Sequence, residues 1–247
     1  MKGLRQLILT NLKLALRDPI STFFIVAFPP MVVVIFGAMY GNKPMEILGG
    51  RGSMDLSMPG YTAMIIGTVG FMNVPIAISA YRELGVLRRF RATPLRPLTY
   101  ILADVVSNLA LTLLGMVGLV IAGTLLYHVH SEGQVLPLLA GVVFSGLAMF
   151  AIGYVIGGLV PSARAAQVVG MVIFYPMMFL SGATMPLEIM PESIRRISNF
   201  LPLTYVVKLL RGLWFGEAWR AHLQEMAVLG GVLLVCTIVA ARFFRWE

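Results

Sequence analysis

Five stretches of this chain, residues 19–42, 56–81, 105–131, 133–163 and 165–187, contain no Asp, Glu, Lys or Arg. About 20 apolar residues in a helix cross a hydrocarbon core of roughly 30 Å, and every stretch is longer than that. Inside lipid each backbone N–H and C=O must find its partner within the protein, so only helices and closed barrels span. Barrel strands would alternate apolar with polar residues, and these runs do not. A sixth span is expected where residues 226–241 also lack charge, lengthened by Leu223, Phe243 and Phe244, with Arg242 reaching back to the interface. The sequence therefore predicts an all-α integral membrane protein, one transmembrane domain over 1–247 with spans at 20–40, 60–80, 99–127, 135–160, 165–184 and 223–244. Only 12% of its residues are charged, about half the share that a soluble domain carries.

The basic residues fall unevenly between the loops. Lys2, Arg5, Lys13, Arg17, Arg82, Arg88, Arg89, Arg91, Arg96, Arg164, Arg242 and Arg245 make twelve on one side. Lys43, Arg51, Arg195, Arg196, Lys208, Arg211 and Arg220 make seven on the other. By the positive-inside rule both termini face the cytoplasm. The formal net charge of +8 then concerns orientation, and no nucleic-acid partner is expected. Over residues 1–18, Leu4, Leu7, Ile8, Leu12, Leu14 and Leu16 are set among Lys and Arg, which predicts a basic amphipathic helix on the cytoplasmic membrane face. Asp18 and Pro19 break it, forming an elbow into the first span; Lys13, Arg17 and Asp18 also rule out a signal-peptide core.

Within the spans a few residues stand out. Pro29 and Pro30 are expected to bend span one, and Asn73 and Pro75 interrupt span two. Residues 41–60 read as a short external loop rich in Gly and Pro. Asp104 is expected near the cytoplasmic boundary of span three, within reach of water or an arginine. Gly153 and Gly157 of span four are spaced for close helix packing. Residues 185–222 are too charged to cross the membrane and too apolar for a solvated loop. They read as two short re-entrant helices parted at Pro202.

The chain shows no catalytic machinery of its own. The nearest approach to a phosphate-binding loop, Gly37 to Pro44, places Asn42 before Lys43 and Pro44 after it. His128, His130 and His222 lack the partners of a zinc site, and Ser181 has no base within the spans. The lone Cys236 makes no disulfide framework. No bound cofactor or metal is expected.

The densest charge lies in "YRELGVLRRFRATPLRP", Tyr81 to Pro97. Five arginines exceed what orientation requires. With Leu84, Val86, Leu87 and Phe90 interleaved and Pro94 closing it, the stretch predicts a short amphipathic helix suited to a groove on a cytoplasmic protein. Glu83, Gly85, Leu87 and Pro94 resemble the loop after span two in bacterial ABC transporter permeases of the type-2 (ABC-2) exporter family. "FLSGATMPLEIMP", Phe179 to Pro191, followed by "LPLTYVVKLLRG", Leu201 to Gly212, is similar to that family's signature between spans five and six. Val86 and Arg88 depart from it, standing where Thr and an acidic residue are common.

The resemblance, which covers essentially the whole chain and is nearest to drug-resistance and nodulation-factor exporters, implies a permease in the bacterial inner membrane. It implies two ATP-binding partner subunits that hold ATP and Mg, a second permease copy as a homodimer, and export of a small amphipathic substrate. It also implies a coupling loop at 81–98, in which Arg82, Glu83, Gly85, Leu87, Arg88, Arg89, Phe90 and Arg91 meet the ATPase. By the same resemblance spans two and five line the path, which makes Phe71, Met72, Asn73, Met171, Phe174, Tyr175, Met177 and Met178 its candidates. Glycoconjugate export on the same frame is one alternative. A stand-alone secondary transporter or channel is another, disfavoured because paired intramembrane charges and inverted repeats are missing.

Overall fold

A computed structural model describes residues 2–17, 19–44, 50–86, 97–185, 187 and 190–243. Six of its helices are long and apolar enough to cross a membrane: Phe23–Tyr40, Ser53–Glu83, Thr99–Tyr127, Val135–Leu159, Ala163–Leu180 and Trp219–Arg242, spans one to six hereafter. Among the described residues there is no β-strand, so the all-α architecture read from the charge-free runs holds. An additional helix, Lys2–Arg17, precedes span one and packs along span three, with Leu12 and Ala15 against the core and Leu9, Leu14 and Leu16 exposed.

Span two starts at Ser53, inside the stretch that the Gly and Pro content marked as loop. A side chain from the loop explains the extra turns. Asn42 Oδ1 accepts the backbone N–H groups of Met54 and Asp55 at 3.1 and 3.2 Å, satisfying helix-end donors that would otherwise be orphaned. Its Nδ2 donates to Asp55 Oδ1 and to the Tyr127 carbonyl, both at 3.1 Å, which ties the start of span two to the end of span three.

Spans one and two share an interruption of their regular helical bonding. Each contains a π-helical turn, Phe23–Ala27 just before Pro29 and Pro30 and Val69–Asn73 just before Pro75. Pro29 and Pro30 have no N–H for the carbonyls of Ile25 and Val26, and Pro75 has none for that of Phe71. Glycines of neighbouring spans meet two of these carbonyls. A β-carbon on Gly115 of span three would lie 2.4 Å from the Ile25 oxygen, and one on Gly170 of span five 2.2 Å from the Phe71 oxygen. Only a hydrogen fits there, so the proline-freed carbonyls mark where these helices approach most closely. Gly153 and Gly157 of span four pack on span two as their spacing predicts, against Gly70 and Pro75.

Between spans five and six lie the two expected short helices, Glu192–Ser198 and Pro202–Trp214. Pro202 opens the second one, at a position where its missing N–H has no intrahelical use. Leu203, Val206, Leu209, Leu210, Leu213 and Trp214 are each at most 3% exposed, because this helix packs against spans two, four and six.

Candidate coupling surface and substrate path

The end of span two that leads towards residues 87–96 is anchored by Arg82. Its guanidinium donates to the carbonyls of Gly157 and Gly158, each at 3.3 Å, and to that of Val160. The first two oxygens sit in the last turn of span four and the third just past it, where no intrahelical donors remain, and a cation there also complements the helix dipole. Ser79 Oγ donates to the same Gly157 carbonyl at 3.4 Å. Arg82 thus spends its hydrogen bonds within the bundle, and the arginine joins spans two and four at one end.

Just beyond it the chain turns away. Gly85 has φ +67 and donates its N–H to the Arg82 carbonyl at 3.0 Å, while Leu84 N–H reaches Ala80. This left-handed glycine terminates the helix, a conformation that side chains with a β-carbon resist. Glu83 and Leu84 are exposed there, Leu84 by 70%. Leu87, Arg88, Arg89, Phe90 and Arg91 lie outside the described residues.

The path candidates divide into three environments. Phe71 of span two and Phe174 of span five are buried, 0% and 3% exposed, and stack with ring centroids 6.2 Å apart and planes 21° apart. Met177 is buried beside them in the core, and Met72, Met171 and Met178 are half-buried. Tyr175 is 41% exposed on the outer face of span five, with Val168, Val172 and Phe179. Asn73 belongs to neither group. Its Nδ2 donates to Asn108 Oδ1 of span three at 2.9 Å.

That bond opens onto a polar cluster which sequence reasoning left in pieces. Asn108 Nδ2 donates to the Asp104 carboxylate at 3.1 Å, and Tyr154 Oη of span four donates to the same Asp104 Oδ2 at 2.6 Å. Asp104 is 6% exposed, and among the described residues its carboxylate is met by hydrogen-bond donors and by no cation; Arg88, Arg89, Arg91 and Arg96, the arginines expected within its reach, lie outside those residues. The i,i+4 spacing of Asp104 and Asn108 was the available signal; the contributions of Asn73 and Tyr154 depend on three helices meeting. A cavity of about 200 Å³ adjoins the cluster, lined by Asn11, Asn73, Tyr81, Asp104, Ser107 and Asn108 among others. Among the described residues no group of three His, Cys, Asp or Glu is placed to hold a metal ion.

Comparison with known proteins adds a family to this geometry. Residues 3–215 match the family described as ABC-2 type transporter. The inner membrane transport permease YhhJ of Escherichia coli (strain K12) is 27% identical over 206 residues, covering 77% of this chain and 53% of its own length. Nodulation protein J of Rhizobium leguminosarum bv. viciae is 29% identical over 139 residues, 56% of this chain and 51% of its own. The chain spans about half the length of these curated relatives.

Proposed function

The chain belongs to the ABC-2 type transporter family, and on that premise we propose that it is the membrane-spanning permease subunit of an ATP-driven exporter. Its substrate is an amphipathic small molecule, drug-like or lipid-like, taken from the cytoplasm or the inner leaflet. Two copies of a separate ATP-binding subunit hold ATP and Mg, and a second copy of this chain completes a homodimer in the bacterial inner membrane with both termini cytoplasmic. The family match over residues 3–215 carries the reading, and the six spans and the relationship to a transport permease support it.

The mechanism follows from how the loop is rooted. ATP-driven closure of the partner dimer moves the Arg82–Thr93 segment, docked in its cleft with help from residues 1–18. Because Arg82 is bonded to the last carbonyls of span four, spans two and four respond as one unit. Span two yields at its π-turn Val69–Asn73, where the chain departs from i,i+4 bonding. Phe71 and Phe174 hold spans two and five together beside that turn, so opening the path there separates the two rings.

Two experiments test this reading. Substrate-stimulated ATPase activity of the reconstituted complex falls with Arg88→Glu and Arg89→Glu; unchanged stimulation in an assembled complex refutes the coupling role. Phe71→Cys with Phe174→Cys in a Cys236→Ser background, bridged by a short bis-methanethiosulfonate reagent, stops export, and reductant, which cleaves the bridge, restores it. Export that continues through the cross-link removes the span two and five interface from the path.

A further inference from the structure

The cavity beside Asp104 has the chemistry of a cation site. We propose that it recognises an organic cation, the ammonium or guanidinium head of the transported amphiphile; this names a substrate class for the export reading above and rests on it.

A carboxylate within a membrane span is costly unless it is paired or serves a ligand. Asp104 is 6% exposed. Its Oδ2 takes the hydrogen bonds from Tyr154 and Asn108, and its Oδ1 accepts none among the described residues. The nearest arginine on span two, Arg82, is committed to the carbonyls of span four. Asp104 also lies seven residues into the helix that starts at Pro97, about 10 Å along its axis from that start. The carboxylate is therefore fixed in direction, met by no cation among the described residues, and deeper than the beginning of its helix.

The other walls suit the same ligand. Asn73 uses its Nδ2 on Asn108, which leaves its carbonyl oxygen as an acceptor. Tyr81 lines the cavity and meets Tyr100 edge-on at 6.3 Å, and an aromatic ring beside a carboxylate attracts ammonium groups. Asn11 of the first helix completes the wall with a buried amide nitrogen that has no partner; turning that amide over presents its oxygen instead. At about 200 Å³ the space is many times the ~10–15 Å³ that one water needs, enough for a small headgroup. Asn11, Leu14 and Ala15 form the wall on the side of Lys2–Arg17. Asn73 terminates the π-turn of span two, so a bound cation touches the segment whose helical bonding is interrupted.

The test uses the full chain in nanodiscs of zwitterionic lipid and calorimetric titration with benzylammonium, benzyl alcohol and benzoate. Benzylammonium is expected to bind saturably, benzyl alcohol at least about tenfold more weakly, and benzoate not at all. Asp104→Asn, which keeps an acceptor for Tyr154, weakens benzylammonium by about tenfold or more, while Tyr81→Phe retains binding and Tyr81→Leu loses it severalfold. Binding that Asp104→Asn leaves intact, equal binding of benzyl alcohol, or no saturable binding of the cation overturns the proposal. If Asp104→Asn does not fold, the Tyr81 pair and the ligand series decide in its place. A chain that couples to an ATPase and exports yet ignores the cation refutes this site and leaves the export reading standing. One that binds the cation through Asp104 but recruits no ATPase does the opposite.

Discussion

Span two and span six differ little in apolar character, with mean hydropathy 1.7 and 2.0, yet 67% of the first and 6% of the second is buried within the protein. The less hydropathic helix is the central one. In water the opposite ordering would be expected, since apolar burial drives folding there. In lipid a leucine gains little by exchanging acyl chains for protein, and helices associate through close backbone approach and polar pairs. Span two has both: Gly70 and the Phe71 carbonyl meet Gly153 and Gly170, Asn73 bonds Asn108, and Arg82 bonds the end of span four. Span six presents Leu234, Val235 and Ile238 outward, each more than half exposed.

The contrast is broken most directly at its glycines. Gly153→Leu places side-chain atoms where the Gly70 carbonyl lies, 2.1 Å from the β-carbon position, and is expected to lower stability by about 3 kcal/mol or more in a detergent unfolding titration. Phe174→Ala removes the ring stacked on Phe71 and should lose about 3 kcal/mol by the same titration. Asn73→Leu removes one interhelical hydrogen bond and is expected to lose about 1 kcal/mol; a double-mutant cycle with Asn108→Leu isolates the pair. The smallest effect belongs to Gly231→Leu in span six, where a β-carbon meets nothing within 4 Å, and the change should stay within about 0.5 kcal/mol. A Gly231→Leu loss equal to that of Gly153→Leu would show that span six is packed against something in the membrane, a second copy of the chain being the first to examine.

Much of the site was legible only as separate residues. Asn73 stood out as a polar residue in an apolar run and Asp104 as a carboxylate beside a span, but nothing along the chain said that both bond Asn108. Phe71 and Phe174, chosen because they lie on two particular spans, stack on each other, which links residues more than a hundred apart in sequence. Along the chain Arg82 is one of five arginines in a charged stretch; that its guanidinium turns back to span four depends on a helix end offering carbonyls that need a donor. The start of span two is hidden for a related reason: Asn42 supplies the helix-end acceptor from the loop, and local Gly and Pro content carries no sign of it.

By itself the sequence determined that this is a helical protein of six spans, since charge-free length measured against bilayer thickness is a one-dimensional property, readable residue by residue. The tertiary structure alone decided which helix lies at the centre, which carbonyls the glycines meet, and that Asp104 is enclosed by Tyr154, Asn108 and a cavity. Those outcomes depend on contacts between distant segments, and in a bilayer hydrophobicity does not rank the faces of a helix, because lipid and protein interior are nearly equivalent surroundings for an apolar side chain.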